Sequence, residues 1–402
     1  DCERKKFFNI TKVESESGVN NIVSGVTSIY KDKSKRLWIG TARSGIHIYD
    51  NGNADSKRIN CKAKSSEIFF KKIVSGITED SGNNIWFSIL SGNELIKYDC
   101  KEDLFKSFNI DKDDGINSLV NHNNNLLLGT ITTGILNFDP ESGVFELMSK
   151  DAKSLSNLSK NSVFCILKDT ENNLWIGTMN EGLFKYEIVN DILTNYKNIE
   201  NDSVSISDNF ITCLYEDSKQ NIWAGTYSGG LNKFDAKTGK FTNYTSSHGL
   251  HDNIKGILED ENNFLWLSTY SGIYKFDPAD LKVKNYDVSD GLQSSEFNDG
   301  AFFKDKDGKI YFGGINGVTY FKPGEIKDNP HSPNVVITDF EIFNESVIGS
   351  ADSPFLKKNI TYADEISLTY KESVFSFRFA ALTFNNPQKN QYAYKMEGFD
   401  KD

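Results

Sequence analysis

The sequence is short of the residues on which most catalytic, metal-binding and membrane-spanning proteins depend. Its 402 residues include 5 His, 5 Cys, 7 Pro and 3 Met. The cysteines are odd in number and none falls in a C-x-x-C or mixed Cys/His spacing, which argues against a zinc site and against a disulfide framework. No apolar run approaches the roughly 18 residues needed to span a bilayer, and no signal peptide is visible. Positive charge is outnumbered, with 45 Lys and Arg against 56 Asp and Glu and a net charge of −11. Binding to nucleic acid or to an anionic membrane surface needs clustered cations, so neither partner is expected. Walker, dinucleotide and G-x-S-x-G motifs are missing as well.

The remaining candidates for chemistry reduce to turns and strands. His248 and His251 have the spacing H-x-x-H, but in a loop (SSHGLHDN) without further ligands nearby, so they read as loop residues. Asp305, Asp307 and Gly308 resemble the start of a calcium loop whose later ligands are missing, which favours a hairpin turn. Glu216 with Asp217, and Glu259 with Asp260, are adjacent on strands and point to opposite faces, so neither pair can flank one glycosidic bond. No catalytic residue, metal ligand or cofactor is assigned.

What the chain has in quantity is aromatic side chains, 13% of all residues, and an internal repeat. The 29 Phe and 17 Tyr favour strands. Segments such as VTSIYKDKSKRLWIGT (26–41), VFCILKDTENNLWIGT (163–178) and ITCLYEDSKQNIWAGT (211–226) align on an anchor that recurs as Trp38, Trp86, Leu127, Trp175, Trp223, Trp266 and Tyr311. Seven copies at 41 to 48 residues predict seven propeller blades of four strands each. Ten residues before the anchor stand Ser28, Gly76, Asn117, Cys165, Cys213, Gly256 and Ala301, all small, as innermost strands around a channel require. Two residues after it come Gly40, Ser88, Gly129, Gly177, Gly225, Ser268 and Gly313, expected to make room for a large ring of the neighbouring blade. Asp32, Asp80, Asn121, Asp169, Asp217, Asp260 and Asp305 open the intervening hairpin loops, where their side chains can bond the backbone ahead.

The pattern I-T-x-L-Y-E-D-x-x-x-N-I-W-x-G-T-x-x-G-G-L-x-x-F-D, nearly complete at 211–235, resembles the two-component regulator propeller repeat. The stretch containing Tyr392 and Tyr394 (Y-x-Y-x-M-E-G-F-D) is similar to the opening of the Y_Y_Y domain that follows such propellers. The expected organisation is all-β: a seven-bladed propeller over 1–325, a linker over 326–334 holding Pro residues, and over 335–402 a partial immunoglobulin-like sandwich of four or five strands, among them VVITDFEIF, EISLTY and FSFRFA. The opening DCERKKFFNI repeats the register of 99–110, so Phe7–Thr11 is expected to be the outermost strand of the last blade, closing the ring.

The resemblance implies the extracytoplasmic sensor region of a two-component protein, periplasmic or at the cell surface, relaying a small-molecule or oligosaccharide signal to a kinase or other output. It implies no enzyme in this chain, membrane attachment only through other segments, and a possible homodimer through the C-terminal domain. The alternatives are a propeller enzyme of lyase or quinone-dependent dehydrogenase type, or a protein-interaction scaffold. The loops between second and third strands differ from blade to blade, whereas the Asp-turn loops repeat. Variable loops on a rigid scaffold are where recognition is built, so ligand contacts are expected from Arg43, Asn180, Glu181, Tyr227, Tyr270 and Asn316.

Overall fold

In the computed structural model, residues 6–14, 20–22, 25–49, 72–111, 114–150, 153–158, 161–326, 334–382 and 392–398 are described. The chain divides into two compact units, residues 1–326 and 327–402. The first is a seven-bladed β-propeller. Its innermost strands are Val26–Lys31, Val74–Glu79, Ile116–His122, Val163–Lys168, Ile211–Glu216, Ile254–Glu259 and Phe297–Lys304. Blades 2 to 6 are antiparallel four-stranded sheets of consecutive strands; three strands of blade 1 lie among the described residues. Blade 7 takes its outermost strand from the other end of the chain: Phe8–Ile10 pairs with Gly317–Phe321, the pairing anticipated from the register of residues 1–10. Phe7 is fully buried there, edge-on to Tyr286 and Phe321.

The aspartate turns do more than bend the chain. Asp217 accepts hydrogen bonds from the backbone N–H of Asn221 at 2.8 Å and from the indole N–H of the anchor Trp223 at 2.8 Å. Asp32, Asp80, Asp169 and Asp260 bind Trp38, Trp86, Trp175 and Trp266 in the same way. In blade 7 Asp305 accepts from the Tyr311 hydroxyl and also pairs with Lys31 of blade 1 at 2.8 Å. A buried indole N–H without a partner would cost about 1–3 kcal/mol, so one carboxylate both shapes the turn and satisfies the core. Adjacent blades are tied on this side by carboxylates too. Glu216 accepts from the backbone and hydroxyl of Thr170, and Glu259 does the same for Ser218.

Two expectations for the propeller need correction. The glycines after the anchor make room for branched aliphatic side chains, not for large rings. A Cβ on Gly177 would come 2.5 Å from Cys165 Sγ and 2.8 Å from Ile211 Cβ of the next blade. Val74, Val163, Ile254 and Val26 occupy the same place beside Gly40, Gly129, Gly225 and Gly313. In blade 3 the small inner residue is Ser118, not Asn117, because Ser118 pairs with Gly129 across a hairpin one residue shorter than its counterparts.

The second unit holds a three-stranded antiparallel sheet, Glu345–Ser346, Val335–Ile342 and Phe375–Ala381 in that order. EISLTY (365–370) is not a strand. Ile366 and Leu368 pack without strand pairing against a small core of Phe340, Ile342, Leu356 and Ile360. Tyr392 accepts a hydrogen bond from Ala381 N–H at 3.1 Å, and Tyr394 is exposed. Most of the expected linker, 327–333, lies outside the described residues.

Candidate functional site

Every innermost strand begins with an irregularity. The register slips between Val26 and Ser28, Val74 and Gly76, Ile116 and Ser118, Val163 and Cys165, Ile211 and Cys213, and Ile254 and Gly256. In blade 7 it slips over a longer stretch, from Phe297 to Phe302. The extra residue of such a bulge leaves the ladder and re-aims its side chain. In five blades that side chain reaches a backbone carbonyl at the start of the next blade's inner strand. Thr27 donates to Val74 O at 2.7 Å, Asn117 to Val163 O at 2.9 Å and Asn298 to Val26 O at 2.7 Å. Ser75 donates likewise to Ile116 O and Thr212 to Ile254 O. A ring of small polar side chains thus stitches blade to blade around a central cavity of about 610 Å³.

Blades 4 and 6 break this ring. Blade 4 has Phe164 at the bulge and blade 6 has Lys255. Phe164 packs edge-on to Phe210, at 5.0 Å between ring centroids, and Phe210 stacks on Tyr227 at 5.2 Å with an interplanar angle of 10°. Lys255 Nζ lies 5.5 Å from the Tyr227 ring centroid and 4.3 Å from that of Tyr270, and pairs with Asp299 at 2.9 Å. The Lys255 side chain is 2% exposed and that of Asp299 34%. An ammonium so buried must be paired, and the carboxylate together with two ring faces does this. Burial alone would lower the Lys255 pKa, but Asp299 outweighs it and holds the ammonium above its ordinary value. Burial raises the Asp299 carboxyl, and Lys255 opposes that rise.

The loops between second and third strands sit at this same end. In five blades a threonine fixes the base of this loop. Thr226 donates to Gly230 O at 2.9 Å and accepts from Gly229 N–H at 3.0 Å; Thr41, Thr130, Thr178 and Thr269 donate to the corresponding glycine carbonyls. Gly230 has φ of 78°, in the left-handed region that favours glycine. The segment entering the inner strand pins the loop from below. Asp208 accepts from Ser228 N–H and Oγ, Asp114 from Thr132 N–H, and Asn253 donates to Tyr227 O.

Of the residues expected to contact ligand, Tyr227 and Tyr270 are brought together, joined through Lys255, with 47% and 44% of their surface exposed. Glu181 pairs with Lys197, and Asn316 donates its backbone N–H to Gln293 at 2.8 Å. Arg43 and Asn180 are exposed on the equivalent loops of blades 1 and 4. These four lie on loops at the same end of the propeller as the tyrosines. His248 and His251, by contrast, each accept a local backbone N–H at Nδ1, from Thr245 and Asn253, as turn residues do.

Sequence reasoning missed Lys255, Asp299, Phe164 and Phe210. A signal was present: the residue before the small inner-strand position reads Thr27, Ser75, Asn117, Phe164, Thr212, Lys255, and two of these depart from the small polar type.

A family model for the two-component regulator propeller matches residues 21–43, 157–180 and 205–228. A curated protein named histidine kinase P4, from Formosa agariphila, is 39% identical over 150 residues, which is 37% of this chain and 11% of that protein. Among solved structures, the extracellular domain of a hybrid two-component system from B. thetaiotaomicron superimposes with a TM-score of 0.72 at 27% identity, covering 94% of this chain and 49% of that one. Virginiamycin B lyase from Staphylococcus aureus shares the fold, with a TM-score of 0.58 at 14% identity over 78% of this chain and 97% of the lyase. The chain spans about half of the extracellular domain it matches and about a tenth of the kinase. Three of its repeats thus match the model of the two-component regulator propeller family, which the propeller resembles.

Proposed function

We propose that the chain is the ligand-sensing part of a two-component signalling protein, placed outside the cytoplasm, and that it recognises a carbohydrate or similar small ligand at the channel mouth. The observation that carries this is the pair of half-exposed rings, Tyr227 and Tyr270, held over a buried Lys255 on the face where loops vary between blades. Tyrosine presents an apolar face and a hydroxyl together, which suits a sugar ring. Similarity to an extracellular domain of a hybrid two-component system supports the sensor role and the location. Arg43, Asn180, Glu181 and Asn316 extend the same surface for a longer ligand.

The chain works by binding and has no catalytic role. The carboxylates that might flank a bond are already committed to the fold: Glu216 and Glu259 tie blades through Thr170 and Ser218, and Asp217 holds Trp223 within its own blade. A ligand shifts an equilibrium only by binding two states differently. A ring of interlocked blades offers little to shift, so the relay to the output runs through segments after residue 322.

The test is calorimetric titration with oligosaccharides, comparing the wild-type chain with Tyr227→Ala/Tyr270→Ala. Loss of binding with an unchanged thermal midpoint supports the site. Unchanged affinity in the double variant moves the site elsewhere, and chemical turnover of the bound saccharide sinks the sensor reading.

A further inference from the structure

Six of the eleven buried side-chain polar atoms that lack a hydrogen-bond partner among the described residues lie on the inner strands or on the segments that enter them, and of these six residues Asp299 lines the central cavity. They are Asp114 Oδ2, Ser162 Oγ, Ser207 Oγ, Asn253 Oδ1, Gln293 Nε2 and Asp299 Oδ1. Buried polar atoms are nearly always satisfied, so such a concentration on one face needs an explanation. The set is chemically lopsided. Three are pure acceptors, two are hydroxyls and one is a donor.

Lys255 is the second anomaly. Blade 6 could tie itself to blade 7 with a Thr, Ser or Asn, as blades 1, 2, 3, 5 and 7 do. A buried lysine is a more expensive solution than any of these, because the charge must be stripped of water and paired. Its effect is to fix Asp299 by one oxygen, Oδ2, and leave the other, Oδ1, without a partner. Asp299 and its neighbours Asn298 and Gly300 also line the central cavity.

We infer that the ligand is an uncharged, polyhydroxylated molecule and that Asp299, positioned by Lys255, accepts a hydrogen bond from one of its hydroxyl groups. This rests on the site proposed above and adds the chemical class of ligand and a contact residue. An acidic ligand is disfavoured. Its carboxylate or sulfate would compete with Asp299 for the buried Lys255 ammonium. A cationic ligand is disfavoured as well, since Lys255 already places a positive charge beside both rings. A hydroxyl can donate to the Asp299 oxygen that lacks a partner without adding a charge beside the Lys255–Asp299 pair.

The experiment is an array of neutral and acidic oligosaccharides probed with the wild-type chain, Asp299→Asn, and Asp299→Asn/Lys255→Met, followed by calorimetry on the oligosaccharides that bind. Wild type is expected to bind neutral members. Asp299→Asn should lose at least about tenfold in affinity for them, as removal of a charge-assisted bond implies, and should gain binding to acidic members because Lys255 is left uncompensated. The double variant, which restores charge balance, should lose both. Wild-type binding confined to acidic members overturns the inference. So does unchanged neutral affinity in Asp299→Asn; if Tyr227→Ala/Tyr270→Ala still abolishes binding, the site stands and only the role of Asp299 falls. An array silent toward the wild-type chain overturns both readings.

Discussion

The two ends of the propeller are built from the same repeat and reach opposite outcomes. At the aspartate-turn end of six blades, one carboxylate takes up the turn N–H and either the indole N–H of the anchor, in five of them, or the Tyr311 hydroxyl, and Glu216 and Glu259 link neighbouring blades. Demand and supply of hydrogen bonds match, six times over. At the other end the loop bases are equally well held, yet six buried polar atoms have no partner and a lysine stands where a threonine would suffice. The first end is finished by the fold alone. At the second, the repeat supplies rigid bases and leaves the polar tips for something outside the chain to complete. On the reading proposed above, strict repetition marks stability here, and departure from it marks recognition.

If that contrast is real, the largest effects on stability come from the aspartate end. Asp217→Ala leaves the Trp223 indole N–H and the Asn221 backbone N–H without an acceptor in a buried setting. A loss of roughly 3 kcal/mol is expected, read as a lower midpoint in urea denaturation with little change in slope. Ligand affinity of the folded variant should be unaltered. Asp217→Asn, which keeps an acceptor oxygen, should recover part of the loss. A fall in ligand affinity with no loss of stability would reverse the assignment of the two ends.

A smaller effect should come from the base of a recognition loop. Thr226 is fully buried, and its hydroxyl both donates to Gly230 O and accepts from Gly229 N–H. Thr226→Val keeps the shape and deletes both bonds, which is expected to cost about 1–2 kcal/mol. Unlike Asp217→Ala, it should also weaken ligand binding, since Tyr227 is the next residue along. Equal stability loss with full affinity would mean that the tip does not depend on its base.

Much of this was legible in the sequence, and the failures have physical causes. Seven anchors and their Asp partners six residues earlier encode the blades, because each blade needs the same core contacts. The closing strand was legible because its register matches that of residues 99–110. The Asp–Trp bond was not foreseen even though both columns were, since the turn alone accounted for the aspartates. Asn117 was misplaced because counting back from the anchor assumes hairpins of constant length, and the blade 3 hairpin is shorter. EISLTY alternates as a strand should, but alternation describes which side chains are buried, not whether a neighbouring strand exists to pair with. Tyr227 and Tyr270 stood out as loop tips, whereas Lys255 and Asp299 are separated by 44 residues and meet only when blades 6 and 7 are adjacent.

The smallest expected effect concerns acid, and it separates the two ends by the sign of one carboxylate shift. Asp305, at the aspartate end, is partly desolvated, which alone would raise its pKa. Hydrogen bonds from Lys31 and from the Lys309 and Asp307 backbone outweigh burial and hold it below the ordinary value of 3.8. A depressed folded-state pKa means that the ionised form stabilises the fold. That contribution is complete above the unfolded value and is lost as pH falls from about 3.8 through the folded value. Asp299, at the mouth, is shifted the other way, so its ionised form costs stability, and the cost is relieved as pH falls through its raised folded value. Asp305→Asn should therefore flatten the loss of stability below pH of about 4, while Asp299→Asn should remove the relief on acidification from a midpoint already lowered by the unpaired Lys255 ammonium. Thermal midpoints of both variants from pH 7 to pH 3 check this. Parallel curves for the two would show that the ends do not differ in how they hold charge.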